Sequence, residues 1–204
     1  MRNYENDLPN GYSLAMHIDA TKPKFGIIFN LIAFIVCIIV MICAFIPLTL
    51  NDVSIIDAWT SDNLFEMLLP LVVVVISMCL YMVLHELVHG LAYKLLTRQK
   101  LTFGMSWSCA FCGVPEIYTY RKTALISVSL PLIVFSVVLC ITTALLYFVS
   151  PIYYVISAFI FGLHLGGCSG DIYVIFLLIK FKSPKTLMRD TGPQQYFYLP
   201  TEQA

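Results

Sequence analysis

The amino-acid sequence predicts an all-α integral membrane protein: four transmembrane helices with a small cytoplasmic β-hairpin between the second and third. Three observations predict it. The 204 residues are 59% hydrophobic and only 12% charged, against about 45–50% and about 25% in soluble domains. Four segments are apolar over the roughly 20 residues that a bilayer requires. Finally, with four spans every cluster of Lys and Arg falls on one side. No repeat, low-complexity segment or long linker divides the chain, so residues 1–204 are expected to form a single polytopic membrane domain. The net charge of zero gives no reason to expect a nucleic-acid partner. The lipid bilayer is the partner that the composition implies.

The first span covers about 25–50. Its apolar stretch exceeds the 7–15-residue core of a signal peptide, and no small-x-small site follows it. It is therefore expected to be a retained helix. The second span, about 65–96, carries His85, Glu86 and His89. The third, about 123–149, contains Pro131, and the fourth, about 152–179, contains His164 and Asp171. Positive charges lie at Arg2, Lys22 and Lys24, at Lys94, Arg98, Lys100, Arg121 and Lys122, and at Lys180, Lys182, Lys185 and Arg189. The 51–64 connection has none and holds Asp52, Asp57 and Asp62. The positive-inside rule then places both termini and the 97–122 loop in the cytoplasm, with the chain in the cell membrane.

Within that loop, "LTFGMSWS" at 101–108 alternates as a strand does, and "EIYTY" at 116–120 is rich in β-formers. Gly113 and Pro115 between them predict a turn, and thus a hairpin whose Trp107 and Tyr118 lean on the bilayer or on the helices. Such a hairpin serves either as an aromatic anchor at the membrane interface or as an edge that captures an extended substrate. Of the seven cysteines, Cys37, Cys43, Cys79, Cys140 and Cys168 fall in spans as small apolar residues. Cys109 and Cys112 form one CxxC, which without a second pair is a weak zinc signal.

The strongest signal is "HELVHG" at 85–90. His85 and His89 are four residues apart and share a helix face, where two ring nitrogens can bind one zinc ion. Glu86, beside the first histidine, is placed to remove a proton from water at that ion. A charged side chain at mid-membrane costs about 2.5–3.5 kcal/mol on insertion scales and usually marks function. Pairing of these residues without metal is the bland alternative. A catalytic zinc needs a third protein ligand, and Asp171 in "HLGGCSGDIYV" is the candidate. His85 lies roughly 19 residues beyond Glu66 and Asp171 roughly 20 beyond Pro151, so both stand about 30 Å along helices that enter from outside. His164, seven residues before Asp171, falls roughly 10 Å short of that depth and is expected to line the pocket with Cys168. Cys168, three residues before Asp171, is also the second-ranked candidate ligand.

These segments resemble a bacterial membrane family of unknown function described as "putative zincin peptidase". The likeness runs through "DLPNGY" at 7–12, "HELVHGLAYKLL" at 85–96, "FG" at 103–104 and "AFCGVPE" at 110–116. It continues in "SGDIYVIFLLIK" at 169–180 and "YFYLP" at 196–200. The resemblance implies His85 and His89 as zinc ligands, Glu86 as catalytic base and Asp171 as third ligand. A looser analogy is to site-2-protease-like intramembrane metalloproteases, which pair HExxH on one span with an aspartate on a later one. Their Asn-Pro…Asp-Gly pattern is absent, since Asp171 follows Gly170 and precedes Ile172.

The leading expectation is a Zn2+-dependent intramembrane metallopeptidase that cuts a membrane-embedded or juxtamembrane polypeptide near the cytoplasmic face. A zinc-binding scaffold or regulator without peptidase activity is the second reading. A small ion or proton transporter is the third; four spans are few for one, and no inverted repeat is visible.

Overall fold

The computed structural model describes residues 3–60, 63–105 and 110–201. Its elements run β1 (Tyr4–Glu5), β2 (Tyr12–Asp19), α1 (Pro23–Leu50), α2 (Ile55–Trp59), α3 (Leu64–Thr97), β3 (Thr102–Met105), β4 (Ala110–Gly113) and β5 (Tyr118–Tyr120). They continue with α4 (Arg121–Tyr147), α5 (Pro151–Gly167), α6 (Ser169–Lys180), β6 (Leu187–Asp190) and β7 (Gln194–Pro200). Four helical stretches are long and apolar enough to cross a membrane: Pro23–Leu50, Leu64–Thr97, Arg121–Tyr147 and Pro151–Lys180.

Three expectations need correction. The chain is not all-α, because β1, β5, β6, β7 and β2 form, in that order, a five-stranded antiparallel sheet. β1, β5 and β6 are too short to show alternation. β2 does alternate, with Tyr12, Leu14, Met16 and Ile18 between Ser13, Ala15, His17 and Asp19, and finds its partner β7 far along the chain. The hairpin exists with other bounds: β3 pairs with β4, Phe103 opposite Cys112. The 118–120 segment instead joins the larger sheet, with Thr119 opposite Met188. Ser106, Trp107, Ser108 and Cys109 lie outside the described residues, so one half of the CxxC pair and the Trp107 anchor do too. Lastly, the expected single helix over 152–179 is two, α5 and α6. Cys168 stands between them at φ −70° and ψ 2°, in a run of Gly166, Gly167 and Gly170 where helix propensity is low.

The chain divides into two compact units. One comprises residues up to Ile28, Leu84–Pro131, and Gly170 onward. It holds both sheets, and its core joins Tyr93 of α3, Val128 of α4, Leu178 of α6, and Met188 and Phe197 of the five-stranded sheet. The β3–β4 hairpin is seated in this unit at two glycines. A Cβ at Gly90 would stand 2.6 Å from the Phe103 ring, and one at Gly113 would strike the backbone of Gly192 and Thr191.

The other unit comprises Phe29–Val83 and Leu132–Ser169. Its core centres on Ala44, Leu48, Tyr154 and Ala158, and the Tyr154 hydroxyl donates to the Ala44 carbonyl at 2.9 Å. Gly162 and Gly166 of α5 meet the backbone of α1 at Cys37 and Ala33, the close approach that small residues permit between apolar helices. The outward faces of α1 carry exposed Leu31, Phe34, Ile35, Ile39 and Ile42. Such surfaces suit hydrocarbon rather than water.

Candidate metal centre

α3 presents His85 and His89 one turn apart, both buried, with ring centroids 4.9 Å apart and planes at 76°. α6 brings Asp171 to them in its first turn. Asp171 Oδ2 lies 3.2 Å from His85 Nε2 and 3.4 Å from His89 Nε2. The three ligand atoms all fall within 4.8 Å of one another. Donors each about 2.1 Å from a tetrahedral ion stand about 3.4 Å apart, so the measured separations suit one shared zinc ion. Two imidazole nitrogens and a carboxylate oxygen are also the donor types that zinc accepts. Glu86, half-buried, adjoins His85 on the helix.

One histidine is oriented by the main chain. His89 Nδ1 is 2.9 Å from the Ser127 carbonyl oxygen. A carbonyl can only accept, so this nitrogen carries the proton and Nε2 is the atom that faces Asp171. Ligating histidines are commonly fixed by a hydrogen bond of this kind.

One turn beyond His89 on the same face, Tyr93 donates to Asp190 Oδ2 at 2.7 Å, while the Gly192 amide donates to Oδ1 at 2.9 Å. The Asp190 backbone carbonyl accepts from Val114 at 2.8 Å. The helix of the two histidines is thus tied to the β6–β7 turn and, through it, to the hairpin. Burial dominates the Asp190 carboxyl and pushes its pKa up to about 6 despite the Tyr93 and Gly192 donors. The neighbouring Cys112 thiol is pushed up to about 12, first by burial and then by the negative charge of Asp190 and Glu86. It stays protonated and serves as a small core residue.

His164 and Cys168 occupy the other unit. His164 is fully buried, with Tyr81 Oη 2.9 Å from Nδ1 and Ser136 Oγ 3.0 Å from Nε2. Cys168 Sγ lies 3.6 Å from the same Nδ1. Three residues around the candidate metal centre were not singled out from sequence: Ser127, Tyr93 and Asp190. Tyr93 carried a readable signal, since it continues the 85–89 face by one more turn, and Ser127 was marked by Pro131 four residues on.

No curated protein and no solved structure matches the chain. The model of the family described as "putative zincin peptidase" matches residues 78–185, a stretch that includes both histidines, the glutamate and the aspartate. With more than half of its length matched, the chain belongs to that family.

Proposed function

We propose that this chain is a zinc-dependent intramembrane metallopeptidase that hydrolyses a peptide bond of a membrane-embedded or juxtamembrane polypeptide. One observation carries the reading: His85, His89 and Asp171 converge within 4.8 Å, and Glu86 adjoins the first of them. His85, His89 and Asp171 would hold a zinc ion, with the His89 ring turned to it by the Ser127 carbonyl, and the ion would supply a Lewis acid for the scissile carbonyl and the attacking water. Glu86 accepts the proton from the attacking water and passes it to the leaving amine nitrogen as the C–N bond breaks.

The sheet supports a four-span arrangement. Its strands come from before α1 (β1, β2), from between α3 and α4 (β5), and from after α6 (β6, β7). Strands of one sheet share one side of a membrane, so an even number of crossings separates each group. The basic residues at those same three places favour the cytoplasmic side, in the cell membrane.

The test combines zinc content with cleavage on the same purified preparations, using single-span polypeptides co-reconstituted in liposomes. Wild type is expected to hold one zinc per chain and to cleave. His85→Ala, His89→Ala and Asp171→Ala are expected to lose the metal. Glu86→Gln should retain zinc and fold but lose cleavage by at least about 100-fold, since a carboxamide cannot take a proton. A Glu86→Gln chain that cleaves at the wild-type rate overturns the role of Glu86. A zinc-loaded wild type that cleaves nothing overturns the peptidase reading and leaves a zinc-binding scaffold.

A further inference from the structure

Pro131 lies inside α4, and the residue four positions before it is Ser127. In a regular helix the N–H of residue 131 would donate to the carbonyl of residue 127. Proline has no such hydrogen, and its ring crowds that same carbonyl and turns it off the helix axis. Ser127 and Pro131 are both fully buried, so no solvent reaches the oxygen that has lost its helical donor. Leaving a buried carbonyl unpaired is costly, the more so in apolar surroundings. The His89 ring supplies the missing hydrogen at 2.9 Å. Ser127 takes part through its main chain alone, because its buried Oγ makes no hydrogen bond.

We propose that Pro131 is a positioning residue of the metal centre: by removing the helical donor from the Ser127 carbonyl, it creates the acceptor that fixes the His89 ring. The inference rests on His89 being a metal ligand. Proline gives the site something no side chain on α4 gives, an acceptor anchored to the backbone that cannot rotate away. It also accounts for a proline in the middle of an apolar helix, where it would otherwise only weaken the element. Two other helices, α1 and α3, contain Pro47 and Pro70, which remove the same donor from Cys43 and Glu66, away from the three ligands. They serve as controls for proline loss as such.

The experiment measures zinc affinity by chelator competition on the full chain in detergent, for Pro131→Ala, Pro131→Gly, Pro47→Ala, Pro70→Ala and Ser127→Ala. Nitrogen–proton NMR of histidine-labelled protein follows the His89 Nδ1 proton, with and without zinc. Hydrogen bonds to ligating histidines are worth about 10–100-fold in metal affinity. Both Pro131 variants are expected to lose about that much, and their Nδ1 proton to exchange rapidly with solvent. The two control prolines and Ser127→Ala should stay within about threefold of wild type, because none of them changes the acceptor. A folded Pro131 variant with wild-type zinc affinity and a protected Nδ1 proton overturns the inference. So does a wild type whose Nδ1 proton is unprotected, a result that stands even if both variants fail to fold. A wild type with a protected Nδ1 proton that binds no zinc sinks the metallopeptidase reading instead.

Discussion

The Tyr93 hydroxyl and the Asp190 carboxylate meet at 2.7 Å, which fastens the helix of the two histidines to a turn of the sheet. The carboxyl titrates at about 6 in the folded chain, above its ordinary value near 4. The folded state therefore holds this proton more tightly than the unfolded state. The stability it contributes is full below about pH 4 and is lost as the pH rises through about 6. In unfolding measurements, wild type is expected to lose stability relative to Asp190→Asn across that window. A difference between the two that does not vary with pH would remove burial as the cause. Tyr93→Phe should destabilise at neutral pH by about 1–3 kcal/mol, because the buried carboxylate then lacks one donor.

Asp171→Ala is expected to abolish tight zinc binding, whereas His164→Ala should largely retain it. His164 has a hydroxyl at each ring nitrogen, Tyr81 at 2.9 Å and Ser136 at 3.0 Å. In a neutral ring one nitrogen donates and the other accepts, so both are committed. His164→Ala would instead lower stability by about 1–3 kcal/mol through the hydroxyls it leaves unpaired. Isothermal titration with zinc and thermal unfolding on the same variants check both statements. Loss of zinc from a folded His164→Ala chain would refute this assignment.

The two glycines that seat the hairpin should respond differently to alanine. At Gly90 the new methyl meets the far end of the Phe103 side chain, which is half-exposed and free to swing. The gain in helix propensity of up to about 1 kcal/mol offsets the displacement, so Gly90→Ala should be close to neutral. At Gly113 the methyl meets backbone of Gly192 and Thr191, which cannot move without parting the hairpin from the sheet. Gly113→Ala should lose about 1–3 kcal/mol as an overpacked site does. Chemical unfolding ranks the two, and equal effects would contradict the seating described.

Reporters fused at either end should agree about sidedness. One active only outside the membrane is expected to be silent at both termini and active when inserted into the 51–64 connection. Activity at one terminus alone would require an odd number of crossings and refute the arrangement.

The four apolar helices and the histidine pair were legible in sequence because each rests on a local signal: length of apolar run, or a four-residue spacing. The sheet was not. β1 has two residues and β5 three, too short for any alternation to show. β2 and β7 were readable, for 12–19 alternates apolar with polar or small residues and "YFYLP" at 196–200 is an aromatic-rich run suited to a strand. β6 lies just before β7, but β2 lies far away in the chain. The break at Cys168 was equally hidden, since an apolar count passes through glycines without registering them. Asp171 stood out by its charge, whereas Ser127 contributes only a carbonyl that every residue possesses. What marked that position was Pro131, four residues on.

The pairing of Tyr12 with Pro200 has a consequence for biosynthesis. β2 leaves the ribosome well before its neighbour β7, because every helix of the chain is translated between them. At about 5–20 residues per second the interval is roughly 10–40 s. β2 waits through that period as an unpaired ribbon exposed to chaperones and proteases. The Asp190 latch on the histidine helix is likewise absent until β6 has been translated. Premature termination before β6 would therefore yield a chain with His85, His89 and Asp171 present and the five-stranded sheet that braces them incomplete, a species fit for degradation.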